Sequence, residues 1–318
     1  MERKTDVIVL NSHGVGQYAY ADRMPRWGET MRVTRWHIDQ DGGKGTNISV
    51  ALGRLGLNVS YVGKVGNDPW GDLGEKWMQD AGVDTTFLYR TDEVATGTAL
   101  ILLGPNGENA IIDGDSSSAK LTEEEVRSAI AARSEARMFV TGFEIPEQLS
   151  LLGARYAKEL DMTTFLNPSP LPERPMDRLD FVDYLVLNEV EARALLELQG
   201  AESMEPADMC RSLKQRYGCP HVILTLGARG SVVLDGDDDL WKVPAPKPEK
   251  IINTAGAGDG YLAAFVTGLV RGMEVEKAAE FAGRYAAFKV TRKGSMTKRP
   301  GMGYPFAPEV EEFILGLS

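Results

Sequence analysis

Asn253-Thr-Ala-Gly256-Ala-Gly258-Asp259-Gly-Tyr-Leu-Ala-Ala-Phe265 sets three small residues before a largely apolar run that extends to Val270. The run from Tyr261 reads as a buried helix. Gly256, Ala257 and Gly258 read as a turn that can bring backbone N–H groups against an anion. A helix N-terminus carries unpaired N–H donors and roughly half a positive charge, so it suits a phosphate or a charge that develops during group transfer. Asp259 stands inside that turn. Its carboxylate either binds a donor or takes a proton. Beside a phosphate, the sharper expectation is removal of a proton from an attacking hydroxyl. An acidic residue at a helix start also occurs simply because it complements the dipole. The glycine spacing is not that of a dinucleotide loop, which opens an early βαβ unit with an acidic residue about 20 positions on. No Gly-Lys-Ser/Thr follows, so this is not a Walker A loop.

Outward from that turn, short strand-like runs alternate with helical periods. Val7–Leu10, Val59–Val62, Met138–Val140, Thr164–Leu166, Tyr184–Leu187 and Val222–Leu226 read as strands. Helical patterns at about 69–81, 121–133, 147–160, 189–198 and 206–217 lie between many of them. Thr46–Leu55 puts Ile48, Ala51, Leu52 and Leu55 on one helical face, with Gly56 as the stop. The alternation predicts an α/β fold with a largely parallel sheet covered by helices. Two pieces depart from it. Glu29–Ile38 reads as extended, with an apolar parity that shifts between Val33 and Trp36 as a bulge or a two-faced strand requires. Thr96–Leu103 and Asn109–Ile112 flank Pro105-Asn106-Gly107, a strong turn signal. These pieces predict a small sheet that covers a ligand, a partner subunit, or both.

Composition narrows the class. A chain of 318 residues accommodates one large α/β domain or two smaller ones. Its 43% hydrophobic and 25% charged residues are ordinary for a soluble globular protein. The net charge of −11 argues against nucleic acid as a general partner, so an anionic ligand needs a local positive site. Cys210 and Cys219 show neither metal spacing nor a disulfide framework, which fits a reducing cytoplasm. The N-terminal residues run into the first strand without a signal-peptide pattern. No apolar run is long enough to span a membrane.

Four further stretches carry polar chemistry. In Gly42-Gly43-Lys44-Gly45-Thr46-Asn47 the glycines permit close backbone approach, and Lys44 and Asn47 offer donors to a polyhydroxylated ligand. A flexible turn before a helix explains the glycines as well. Asn188-Glu-Val-Glu191 follows a strand and opens a helix, which places oxygen ligands at a strand's carboxyl end. A hydrated Mg²⁺ suits that place, and so does a plain capping box. Thr225-Leu-Gly227-Ala-Arg229-Gly230 joins two strands, the second at Ser231–Leu234, and either underlies a nucleotide or is a hairpin loop. Thr291-Arg292-Lys293-Gly294 with Lys298-Arg299 is the dense basic stretch, facing either a triphosphate or solvent. Of the histidines, His221 reads as structural, while His13 and His37 are candidates for substrate contact. No Gly-x-Ser-x-Gly element is present, which lowers the case for a serine hydrolase.

In chain order, seven elements resemble the ribokinase (PfkB) family of carbohydrate kinases over nearly the whole length. They are Gly42-Gly43-Lys44-Gly45-x-Asn47, Glu144 after a strand, Asn167-Pro-Ser-Pro170, Asn188-x-x-Glu191, Thr225-Leu-Gly-x-Arg-Gly230, Gly256-Ala-Gly-Asp259 and Val290-Thr-Arg-Lys-Gly294. The resemblance implies a ribokinase-like three-layer sandwich, with a large α/β domain from 1–11, 42–94 and 118–318. A discontinuous β-lid comes from 12–41 and 95–117, and lids of this kind often pair in a homodimer. It implies transfer of the γ-phosphoryl group of ATP to a sugar hydroxyl in the cytoplasm, with no nucleic-acid or membrane partner. Asp259 matches the general base, and Gly256, Ala257 and Gly258 the anion hole. Asn188 and Glu191 match the element that organises Mg²⁺, largely through water, and phosphate. Thr225, Gly227, Gly230 and Gly258 match nucleotide contacts. Gly43, Lys44, Asn47, Glu144 and Asp259 match sugar contacts.

Two departures qualify the resemblance. The family's Asn and Asp after the first strand, which grip sugar hydroxyls, fall on Gly14 and Gly16 here. A site stripped of two polar grips predicts an acceptor other than ribose. His13, Gln17, His37, Asp39 and Asp41 are the candidates to replace those contacts. Asn253 stands where the family often has Asp beside a monovalent-cation site, so a K⁺ site near Asn253 and Ala255 stays open. The alternatives are a nucleoside kinase of the same family and a catalytically silent ligand-binding relative. The intact Gly-x-Gly-Asp element weighs against the silent one.

Overall fold

Val7-Ile-Val-Leu10 carries apolar side chains on both faces, as a strand covered from two sides must. In the computed structural model, which describes residues 4–38, 41–104, 109–199, 203–296, 298 and 302–315, it forms β1 (Val7–Leu10). Val7 and Val9 enter one hydrophobic cluster, and Ile8 and Leu10 the other, on the opposite face. The chain continues through β2 (Gly14–Tyr20), β3 (Arg35–His37), α1 (Gly43–Arg54), β4 (Val59–Gly66), α2 (Pro69–Asp80) and β5 (Asp84–Thr91). Then come β6 (Gly97–Leu103), β7 (Asn109–Ile112), α3 (Glu123–Ala131), β8 (Met138–Gly142), α4 (Glu147–Glu159) and β9 (Thr163–Asn167). The remainder adds β10 (Tyr184–Asn188), α5 (Glu189–Leu195), α6 (Pro206–Tyr217), β11 (His221–Thr225), β12 (Ser231–Leu234) and β13 (Leu240–Val243). Three helices close the described chain: α7 (Ala257–Val270), α8 (Val275–Lys289) and α9 (Ala307–Leu315).

Nine strands form one sheet in the order β13-β12-β11-β10-β9-β8-β1-β4-β5. Every neighbouring pair from β11 to β5 is parallel, and β12 and β13 close one edge antiparallel. The largely parallel, helix-covered sheet expected from the alternation is thus present. The order reverses at β1, which has β4 on one side and β8 on the other. In such sheets ligands bind beyond the carboxyl ends of the strands at the reversal. Helix α7 is apolar around its circumference and buried accordingly, with Ala263, Ala264, Phe265 and Val266 inaccessible. A Cβ at Gly268 would stand 2.9 Å from the Cβ of Ala278, so the close approach of α7 to α8 depends on that glycine. Among the described residues no helix is long and apolar enough to cross a membrane. Cys210 and Cys219 are both buried and unpaired.

A second sheet, in the order β3-β2-β6-β7, stands apart. Strands β2 and β6 run parallel at its centre, and the outer two are antiparallel to their neighbours. Its strands fall within 12–41 and 95–117. The extended reading of Glu29–Ile38 is corrected here: the strand is only Arg35–His37. The reason is the partner, since β2 ends at Tyr20 and residues before Arg35 run past it. Strands β2, β5 and β13 and helices α8 and α9 lie outside the sequence expectations. The Pro105-Asn106-Gly107 turn, Asp39 and Arg299 fall outside the described residues.

Candidate active site

Two short connections converge where the sheet order reverses. After β8, Glu144 is half-buried, with its Oε2 accepting from Ser12 Oγ (2.5 Å) and from the Lys44 N–H (2.8 Å). The loop after β1 is thereby tied to the start of α1. Gly43, with φ +72°, makes the turn into α1, and a Cβ there would crowd the Gly14 nitrogen at 3.1 Å. Burial lifts the Glu144 carboxyl to about 7, opposed by Lys44 and the Ser12 hydrogen bond.

Asp259 lies in the first turn of α7, which begins at Ala257 rather than Tyr261. Its Oδ2 accepts from Asn47 Nδ2 (2.8 Å), and its Oδ1 stands 3.7 Å from Lys44 Nζ. Burial raises the Asp259 carboxyl above its ordinary value, Lys44 and Asn47 pull it back, and Asp41 adds to the rise. A carboxylate so placed is a competent proton acceptor. Burial pulls the Lys44 ammonium down, but Asp259, Glu144, Glu191 and Asp41 more than offset that and hold it above its usual value.

The anion cradle differs in one respect from the expectation. Gly256 takes φ +70° as the N-cap of α7, and Gly258 has open space in front of it. The Ala257 N–H, however, turns inward to Thr254 O (3.1 Å) and is not presented to a ligand. The N–H groups of Gly256, Gly258 and Asp259 find no acceptor among the described residues.

Two cavities meet here. The larger, of about 650 Å³, opens between the two sheets. Gly14, Gly16, Asp41, Lys44, Asp115 and Glu144 are among its lining residues. The smaller, of about 70 Å³, is lined by Lys44, Asn188, Glu191, Thr225, Gly258 and Asp259 among others. Lys44 belongs to both. Asn47 bridges them, since its Nδ2 also donates to Asp41 Oδ1 (2.9 Å).

Of the candidates to replace the polar groups missing at Gly14 and Gly16, Asp41 lines the larger cavity together with both glycines. A Cβ on Gly16 would lie 3.0 Å from the Asp41 Cβ, so the carboxylate uses room that the glycine leaves free. Tyr18 Oη (2.9 Å) and the Gly43 N–H (3.1 Å) hold it. His13 also borders the cavity, but its ring is turned into the core. His13 is inaccessible, with Nδ1 on Thr46 Oγ1 (2.8 Å), Nε2 on Trp70 O (3.1 Å) and its ring edge-on to Trp77. Burial depresses it to about 4, so it is a neutral core histidine and the substrate-contact reading is withdrawn. His37 packs against Tyr20 on the small sheet, and neither it nor Gln17 lines the cavity. His221 stacks on Tyr184, as a structural histidine should.

Asn188 and Glu191 form a full capping box: Asn188 Oδ1 accepts from the Glu191 N–H and Glu191 Oε2 from the Asn188 N–H, each at 2.9 Å. Capping and cleft-lining are therefore combined in one pair. Thr225 lines the same cleft. Gly227, with φ +59°, has open space, but a Cβ on Gly230 would collide with Val243 O, so packing against the end of β13 accounts for Gly230. In the basic stretch Lys293 and Lys298 are exposed, as a solvated run should be, but Arg292 fits neither reading. Arg292 is 4% exposed and is spent on Gly303 O (2.8 Å), Met302 O (2.9 Å) and the Glu309 carboxylate (3.0 Å), which pins the C-terminal segment. Lys298 pairs with Asp80 (3.3 Å).

The geometry has counterparts among known proteins. The model of the pfkB family carbohydrate kinases matches residues 15–301. A ribokinase of Bacillus subtilis (strain 168) is 30% identical over 312 residues, covering 97% of this chain and 99% of that one. A deoxyribokinase of Salmonella typhi is 28% identical over 298 residues, covering 93% and 96%. The structure of Arabidopsis thaliana ribokinase complexed with ribose and ATP superposes with a TM-score of 0.86, at 24% identity, over 98% of this chain and 99% of that one. That likeness shows the ribokinase fold.

Proposed function

The chain belongs to the pfkB family of carbohydrate kinases, and from that premise we propose that it transfers the γ-phosphoryl group of ATP to a hydroxyl of a small sugar other than ribose. Relatives of similar identity include both a ribokinase and a deoxyribokinase, so kinship leaves the acceptor open. One observation carries the reading. Asn47 joins Asp41, in the larger cavity, to Asp259 at the head of α7, beside the lysine shared by both cavities.

In this reading the acceptor lies in the larger cavity and the triphosphate over the smaller one. Asp259 receives the hydroxyl proton as the oxygen attacks, and Gly256 and Gly258 N–H groups and Lys44 stabilise the transferred charge. Glu191 uses one carboxylate oxygen as a cap, and its other oxygen with the Asn188 amide suits a Mg²⁺ that keeps most of its waters. Among the described residues no cluster of three or more His, Cys, Asp or Glu offers direct chelation. Thr225 and Gly227 flank the nucleotide. The small sheet acts as a lid that keeps water from competing with the sugar. Trp36 and Ile112, 49% and 56% exposed on its outer strands, offer apolar surface for a second lid in a homodimer.

The cavity wall carries Asp41, Asp113, Asp115 and Glu144 against Lys44, which disfavours sugar acids and other anionic acceptors. Its size and the apolar Ile101, Phe143 and Ile145 keep a nucleoside as the second reading. ATP turnover across pentoses, hexoses, ketoses, sugar acids and nucleosides tests this directly. Turnover with a neutral sugar above ribose is expected. Preference for a nucleoside selects the second reading, and no turnover at all selects a silent relative.

The Glu144 carboxyl adds a pH dependence. Ionised, it keeps a lone pair for the acceptor hydroxyl; protonated, it loses one. With the carboxyl lifted to about 7, kcat/KM for the acceptor is expected to fall as pH drops through that value. Glu144→Gln should abolish that limb. A wild-type profile that stays flat through the same range removes Glu144 from acceptor binding.

A further inference from the structure

For N–H groups to face an anion, the carbonyls of the same turn must face inward and find donors there. In residues 253–258 each inward carbonyl has one. Thr254 O accepts from the Ala257 N–H (3.1 Å), and Gly256 O from Tyr304 Oη (2.8 Å) and the Gly260 N–H (2.9 Å). Ala255 O accepts from the ammonium of Lys289. Lys289 is the last residue of α8 and is wholly inaccessible. Burying an ammonium costs several kcal/mol unless its charge is used. The C-terminal end of α8 favours a cation there, and the Tyr304 ring lies 5.7 Å from Nζ. Asn253 is neutral and is itself committed, its Oδ1 accepting from the Ala255 N–H (2.9 Å).

We propose that Lys289 is a positioning residue for the phosphoryl cradle, a built-in cation that holds Ala255 and with it the Gly256–Gly258 turn. It stands where a free monovalent ion would otherwise be bound. A potassium ion does not fit this arrangement, because the carbonyl it would use is taken and no carboxylate at 253 draws it in. The inference rests on the kinase reading above, since only phosphoryl transfer reports the shape of the cradle.

The ammonium is also a titrating group. Burial lowers it to about 8, while Asp41 from the loop before α1 and Asp259 from α7 favour its charge, and Arg292 beyond α8 opposes it. Below that value it is charged and grips the loop; above it the grip is lost.

Turnover is measured with an accepted sugar in buffers whose cation is either potassium or tetramethylammonium. Wild-type rates are expected to be equal in the two, and to fall as pH rises through about 8. Lys289→Ala is expected to lower kcat about 100-fold without potassium, the scale of misplacing reacting groups by 1 Å. Added potassium or ammonium chloride should restore much of that loss, and the rescued variant should lack the alkaline limb. A lysine that only fills space would cost thermal stability without creating cation dependence. Potassium activation of the wild type overturns the proposal, as does a variant of undiminished kcat or one that no monovalent cation moves. If Lys289→Ala does not fold, the wild-type comparison still decides. Absence of turnover with every acceptor would instead strike the kinase reading and is distinguishable from all of these.

Discussion

Asp259→Asn is expected to lower turnover by about 10²–10⁴, the usual contribution of a positioned proton acceptor, while ATP affinity stays within a few-fold. The substitution is close to isosteric. An amide oxygen at 259 can still accept from Asn47 Nδ2, now at 2.8 Å, so no buried donor is stranded. What disappears is the capacity to take a proton and the negative charge 3.7 Å from Lys44 Nζ. Relieved of that charge, Lys44 should hold a γ-phosphate at least as well. The signature is therefore a fall in kcat with nucleotide binding retained. It is read from steady-state kinetics beside a nucleotide titration. Turnover close to wild type would remove Asp259 from the mechanism, and parallel loss of nucleotide binding would recast it as a structural residue of the cradle.

Asp41→Ala is expected to reduce kcat/KM for the acceptor by about 10²–10⁴, the scale of two charge-assisted hydrogen bonds at about 1.5–3 kcal/mol each. The KM for ATP should hardly move. Asp41 accepts from Tyr18 Oη, Asn47 Nδ2 and the Gly43 N–H, and its removal leaves those donors for water. Asn47 then loses one of the two carboxylates that orient it against Asp259. Because the Asp41 Cβ uses the space in front of Gly16, combining Gly16→Asp with Asp41→Gly frees that space and restores a carboxylate from the opposite side. That double variant should shift preference toward ribose. An acceptor profile unchanged by Asp41→Ala would show that the cavity is read by other groups.

The parts of this molecule that could be read from sequence share a physical cause. Strands of the large sheet are buried on both faces, so Val7–Leu10, Tyr184–Leu187 and the core of β11 appear as continuous apolar runs. Strand β2 of the small sheet could not be read so, because Gly14 and Gly16 look like a turn and its pattern is only half buried. Helix α8 is alanine-rich and buries small side chains such as Ala278, Ala279 and Ala282, which give a weak periodic signal. Local motifs carried Lys44, Asn47, Glu144 and Asp259, which stand together here. Lys289 and Tyr304 owe their places to approaches between distant parts of the chain, which no window on the sequence displays. A lysine closing a small-residue helix just before a basic stretch was the available hint. Within the basic stretch Arg292 misled, because charge alone does not tell a phosphate grip or a solvated side chain from the half-buried ion pair that Arg292 makes with Glu309.

The most direct test is a crystal structure of Asp259→Asn with a non-hydrolysable ATP analogue, Mg²⁺ and the sugar that the panel selects. The acceptor hydroxyl should lie within hydrogen-bond reach of residue 259, roughly 2.6–3.2 Å, and in line with the γ-phosphorus held by Gly258 and Lys44. A sugar whose reacting hydroxyl points away from residue 259, or a γ-phosphate seated off the head of α7, would contradict it.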